Sequence, residues 1–258
     1  MNRGERMTNY EKNAHDEAFA WYRNTTKPPS MTATMTKQIQ YKMNRYIPQK
    51  VHDASAQAVK AMIETVLSSS TTFGKIAPVS TPSLKEADNA IEELAAKHRN
   101  IATAEGAGTG AGGLFLGMVD FPALLSIKFR FLWEAAQLYG FDPSIEEERL
   151  FLVHVFQSAF SAPQQKAEAA KRIREWETWI DNIKSKEPPE NWVDWTLFQE
   201  GYRDAIDLPK LLQLVPGFGA VVGAVVNRHF LTVLADAAKQ SYRFRLLPSE
   251  TNKKDLHR

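Results

Sequence analysis

The apolar positions of this chain fall at helical spacing almost throughout. Met35, Ile39 and Met43 recur every fourth residue before Pro48, and Val51, Ala58, Met62 and Val66 continue an apolar stripe after it. Pro82 and Ser83 open a further helix: Ser83 and Glu86 stand at capping-box spacing, and Leu84, Ala87, Ile91, Leu94 and Ile101 line one face. Tyr139-Gly140 reads as a stop and Asp142-Pro143 as a restart. Residues 164–185 read as one highly charged helix with Ile173, Trp176, Ile180 and Ile183 on its inner side, broken by Pro188-Pro189. No run alternates with the period of two that a half-buried strand requires. The pattern predicts an all-α fold, a multi-helix bundle.

Two stretches stand apart from this amphipathic background, GAGTGAGGLFLGMVDFPALL at 106–125 and PGFGAVVGAVV at 216–226. Gly106, Gly110, Gly113 and Gly117 fall near one helical face, and Gly219 and Gly223 repeat the four-residue step. Glycine costs an exposed helix about 1 kcal/mol relative to alanine, so packing must offset so many of them. Small residues at that spacing let two backbones, or a backbone and lipid, come close. The expectation is two glycine-rich core helices, with core burial and lipid contact both open. Gly108-x-Gly110-x-x-Gly113 also matches the dinucleotide pattern, but the residues on both sides read as helix and no Gly-Lys-Ser/Thr triplet exists. Neither nucleotide nor any other cofactor is expected. The apolar runs Ala107–Val119 and Val215–Val226 fall short of the roughly twenty residues of a membrane span and are closed by Asp120 and by Asn227-Arg228.

Each glycine-rich stretch adjoins the same short phrase, D-x-P-x-L-L, at Asp120 and at Asp207. An Asp just ahead of a Pro is a favoured helix start, its carboxylate accepting from free backbone N–H groups. The alternative is that Asp120 and Asp207 converge, raise each other's pKa and serve a hydrolase or cation-dependent enzyme.

Three segments rich in Ser, Thr and Pro, at 24–30, 68–83 and 185–190, divide the chain into an N-terminal helical extension (1–80), a helical core (81–245) and a basic tail (246–258). Charge sharpens this picture. Residues 1–50 carry nine Lys/Arg against four Asp/Glu and residues 243–258 five against two, around an acidic middle. Basic ends of this kind suit either plain solvation or an acidic membrane surface. Lys128, Arg130 and Arg149 could hold an anionic headgroup beside the glycines, or pair with Glu134 and Glu146–Glu148 at helical spacing. The chain has no cysteine, which excludes disulfides and thiolate metal sites, and its six histidines show no metalloprotease spacing. No basic stripe on one helix points to nucleic acid. The first residues lack an apolar secretory region, which fits a cytoplasmic protein. Four of the six tryptophans lie at 176–195, a segment that serves core packing or a dimer contact.

The order of motifs resembles the EcsC family of bacterial proteins. The residues that carry the likeness are the glycine run Gly106–Gly117, Asp120-Phe-Pro with Leu124-Leu125, Tyr139-Gly140-Phe141, Glu148-Arg149 before FLVHVF, and Asp207-Leu-Pro before PGFGAVVGAVVN. It spans roughly 80–245, and the stretch around WYRNTTKPPS is similar to the N-terminal part of Bacillus-type members. The resemblance implies a cytoplasmic or peripherally membrane-bound protein that accompanies an ABC transporter linked to protein secretion. It assigns no catalytic residue. Gly110, Gly113, Asp120, Asp207, Arg130 and Arg149 therefore stand as candidates on the residue pattern alone.

Overall fold

The computed structural model describes residues 7–28, 49–68, 73–74, 83–110, 121–188, 191–193 and 219–248, with the side chains at 49–56, 102–110, 121–124 and 219–227 left aside. Among the described residues there are helices and no strand. In chain order they are α1 (Asn9–Thr26), α2 (Gln49–Ser68), α3 (Leu84–Gly110), α4 (Phe121–Leu138), α5 (Glu146–Phe160), α6 (Pro163–Arg174), α7 (Trp176–Lys184) and α8 (Gly219–Leu246).

The axis of the bundle is the pair α3 and α8, of 27 and 28 residues, each about 40 Å long at the helical rise. They share the most extensive contact between any two described helices. Glu92 pairs with Lys239 and Asp88 with Arg243, so the two run antiparallel. Counting onward at the helical rise, the Gly106–Gly110 end of α3 comes level with the Gly219–Gly223 start of α8. α4 runs back along α3, with Glu134 at His98 and Tyr139 at Asp88. α5 runs antiparallel to α8, its Phe160 meeting Phe230 and its Glu148 meeting Arg245. The bundle thus has a glycine end, where α3 finishes and α4 and α8 begin, and an opposite polar end.

Local chemistry explains the boundaries. Ser83 Oγ accepts from the Glu86 amide while the Glu86 carboxylate accepts from the Ser83 amide, the expected box at the start of α3. α4 stops at Gly140, whose φ of +84° is the left-handed conformation glycine adopts without strain. The expected restart at Asp142-Pro143 comes three residues late. Asp142 instead accepts from the Ser144 amide in a local turn, and α5 begins at Glu146. The single helix expected over 164–185 is two, broken at Glu175, but Ile173, Trp176 and Ile180 are buried as expected. The expected face of α3 holds at Leu84, Ala87 and Ile91 and fails at Ile101, which is 41% exposed. On α2 the fully buried positions are Val59, Ile63 and Val66, one helical step from the expected stripe except at Val66.

The core joins all of these elements. Phe129 and Phe156 stack at 4.9 Å, and Trp133, Leu132 and Phe131 are fully buried beside them. Ala95, Ala135 and Ala136, also fully buried, are the small side chains among them. α2 packs on α4 and α5, and α1 packs on α6 and α8 through buried Ala14 and Ala18. Of the tryptophans at 176–195, Trp176 and Trp192 are buried and Trp179 is partly so.

Candidate functional site

Asp88 lies one residue past Ala87 in the apolar stripe of α3, so folding carries its carboxylate inside, to 1% exposure. A buried carboxylate is tolerated only when its lone pairs are met. Here the Tyr139 hydroxyl donates to Oδ1 at 2.6 Å, and the Tyr10 hydroxyl to Oδ2 at 2.7 Å. Arg243 donates to the same Oδ2 through Nε at 3.0 Å and Nη2 at 2.9 Å. Arg243 Nη1 reaches Gln240 Oε1 at 3.0 Å and the Glu17 carboxylate. Burial and Asp88 together push the Tyr10 hydroxyl up to about 12. Burial works against the Arg243 charge, but the hydrogen bonds it donates to Asp88 and Glu17 more than offset this and hold the guanidinium above its ordinary range. Four helices meet at this network, α1, α3, α8 and the end of α4. Both Asp88 oxygens accept hydrogen bonds from other helices, so the cluster clamps the helices together.

Two residues further along α8, Arg245 grips Glu148 through Nη1 and Nη2 and reaches Glu177. Its guanidinium lies 3.8 Å from the Phe141 ring centre. The charge balance of the C-terminal end therefore needs correction: Arg243 and Arg245 belong to buried ion pairs rather than to a solvated basic tail. Their setting in YRFRLL, charge alternating with aromatic, was the available signal.

A groove of about 290 Å³ opens beside this network between α1, the α6–α7 junction and the end of α8. His15 and Phe19 form one wall, Arg174 and Thr178 another, and Phe244 and Leu247 the third. Arg174 stacks over Phe19 at 5.4 Å and Tyr22 at 4.9 Å.

Of the candidates named from the sequence, Gly110, Arg130 and Arg149 do not line this groove. Asp120, Asp207 and Gly113 lie outside the described residues, so the convergence of the two carboxylates is not described. Gly110 is the last residue of α3. Arg130 is an exposed cation on α4 whose Nε pairs with Glu134 at 2.9 Å, the ion pair its spacing suggested. Arg149 is elsewhere, at the polar end, where it is buried and donates to the backbone carbonyls of Leu67, Pro143 and Ser144 rather than to Glu146–Glu148. It ties α2 to the turn before α5. Lys128 is buried with its amine 4.9 Å from the Phe230 ring centre and 5.2 Å from that of Phe160. Burial lowers that amine to about 8. Among the described residues no group of three or more acidic or histidine side chains could hold a metal ion, and no helix is long and apolar enough to cross a membrane.

Comparison with known proteins supplies the identity. No solved structure matches significantly. Two proteins of Bacillus subtilis (strain 168) are similar. Protein EcsC is 38% identical over 231 residues, covering 90% of this chain and 94% of its own. The uncharacterised protein YdbA is 31% identical over 160 residues, 61% of this chain and 57% of its own. The sequence model of the EcsC protein family matches residues 12–247, from the second turn of α1 to just past the end of α8. The chain belongs to the EcsC protein family.

Proposed function

We propose that this protein is a non-catalytic accessory factor that docks peripherally on the cytoplasmic face of the membrane, beside an ABC transporter of the protein-secretion type. The observation that carries this reading is the antiparallel register of α3 and α8. It brings the Gly106–Gly110 and Gly219–Gly223 segments to one end of the bundle. Those segments are rich in glycine, which carries no side chain, so a bilayer or a membrane protein can approach the backbone closely. At the opposite end the large polar groups are bonded to one another, as befits a structural clamp. The link to a transporter comes from the family resemblance.

Flotation with liposomes tests the docking. The full-length protein should rise with vesicles containing anionic lipid at low ionic strength; protein that stays at the bottom of the gradient with every vesicle composition would end the reading. Cross-linking in cells to the neighbouring ABC transporter subunits tests the partner, and an uncross-linked chain at native expression would remove the transporter from it.

A further inference from the structure

Where α1, the α6–α7 break and the end of α8 meet, packing leaves the groove of about 290 Å³, a size at the small end of ligand pockets. The sequence accounts for the hollow. α1 presents Ala18 to it, a residue 1% exposed and too small to fill the space. α6 and α7 part at Glu175, whose φ of −108° and ψ of 26° interrupt the helix.

The lining divides by chemistry. Ala18, Phe19, Phe244, Leu247 and Pro248 are apolar, and each of the three segments also brings one basic side chain: His15 from α1, Arg174 from α6 and Arg243 from α8. Among these lining residues Glu175 is the one carboxylate, and it is exposed. The basic groups are not equivalent. Arg243 is 2% exposed, and Asp88 balances its charge from within. His15 Nδ1 lies 3.6 Å from Asp16. Arg174 is exposed, and its guanidinium is held over two rings of α1, 4.9 Å from the Tyr22 centre and 5.4 Å from that of Phe19.

Ring contact engages the face of a guanidinium and leaves N–H donors along its edge, where a carboxylate is held by two parallel bonds. The rings also restrain the long side chain in advance, which lowers the entropy lost when it grips a ligand. Beside this cation Phe19 and Phe244 meet edge to face at 5.3 Å, and Leu247 extends the hydrocarbon surface. An inorganic anion would leave those apolar walls unused, and an organic cation would meet Arg174 with like charge.

We infer that this groove binds a small amphipathic anion, a carboxylate carried on an apolar body. Arg174 grips the carboxylate, and Phe19, Phe244 and Leu247 cover the hydrocarbon. The site lies at the polar end of the bundle, away from the docking face proposed above.

The test is calorimetric titration of the full-length protein with octanoate, so that residues 249–258, which follow Pro248, are present to compete for the groove. Octan-1-ol and octylammonium match the chain without the negative charge, and acetate supplies the charge alone. Octanoate should bind saturably, and each of the other three should bind about tenfold more weakly or less. Arg174→Gln should lose about tenfold for octanoate and leave octanol unchanged. Lys171→Gln, which removes an exposed cation of the same helix outside the groove, should stay within about twofold. Thr178→Trp, which fills the groove from an exposed position, should abolish octanoate binding. Circular dichroism and a thermal midpoint within about 3 °C of the parent exclude loss of fold in these variants. Absence of saturable octanoate binding would overturn the inference. So would equal affinity for octanol, tighter binding of octylammonium, or octanoate binding that survives Arg174→Gln or Thr178→Trp unchanged. Equal losses in Arg174→Gln and Lys171→Gln would reduce the effect to net charge and overturn it as well.

Discussion

Asp88 and Arg243, 155 residues apart in the chain, meet inside the protein with both Nε and Nη2 of the guanidinium on one carboxylate oxygen. The exposures are 1% and 2%. Removing one partner of a buried pair leaves an uncompensated charge, which costs about 3–5 kcal/mol. Asp88→Ala is therefore expected to lower the unfolding free energy by that amount in urea titration. The double variant Asp88→Leu/Arg243→Met should recover a large part of the loss, because neither charge is then stranded. Glu17, the exposed third member, should matter far less: Glu17→Gln is expected to cost under about 1 kcal/mol, since water screens that contact.

A second buried group makes the fold sensitive to acid. His154 lies under α6 and α7, its ring 4.9 Å from Trp179 and 5.7 Å from Trp176, and neither ring nitrogen has a hydrogen-bond partner. Burial, aided by Arg172 and opposed only in part by the nearby Gln157 side chain, lowers it to about 3. In the unfolded chain it titrates at its ordinary value of 6.5, so below that pH the unfolded state takes up a proton the native state refuses. Stability should fall from about pH 6.5 down toward pH 3, by about 2 kcal/mol at pH 5 from this group. His154→Leu should flatten the slope of unfolding free energy against pH over that window. An unchanged slope would mean the imidazole finds a proton acceptor in the native state.

What the sequence revealed followed from what helical periodicity encodes. The pattern showed which residues sit on an inner face, so Ile91, Ile173 and Ile180 were recognisable, and Ser83 with Glu86 marked a helix start before any coordinates. Periodicity says nothing about which helix faces which. The Asp88–Arg243 pair was invisible for that reason, although an Asp inside an apolar stripe and Arg alternating with aromatics in YRFRLL were anomalies that pointed inward. The kink at Glu175 was hidden because both halves share one inner stripe.

Arginine chemistry separates two superficially similar ion pairs. Arg245 is 7% exposed at its side chain, holds Glu148 through two N–H groups and sits over the Phe141 ring. Lysine can supply neither the fork nor the planar stack. Arg245→Lys is expected to destabilise by about 1.5–3 kcal/mol, the range for a lost charged hydrogen bond. Arg130, 61% exposed, pairs with Glu134 one turn away, and Arg130→Lys should cost under about 0.5 kcal/mol. Parallel thermal melts of the two variants would show the contrast, and equal shifts would contradict the burial of Arg245.

Tyr139 and Tyr242 stack at 4.8 Å with their planes 17° apart, yet their hydroxyls have opposite fates. Tyr139 donates to Asp88, whereas the buried Tyr242 hydroxyl has no partner. An unmet buried hydroxyl carries its full desolvation cost, so deleting it relieves the native state. Tyr242→Phe keeps the ring and its stacks on Tyr139 and Phe141 and should be neutral or raise stability by up to about 1 kcal/mol, roughly 2–4 °C in the thermal midpoint. Tyr139→Phe strands an Asp88 oxygen and should lower stability by about 1–3 kcal/mol. The sign difference between two Tyr→Phe changes in one stack is the readout. Destabilisation by Tyr242→Phe of the same size would show that its hydroxyl is hydrogen-bonded in solution.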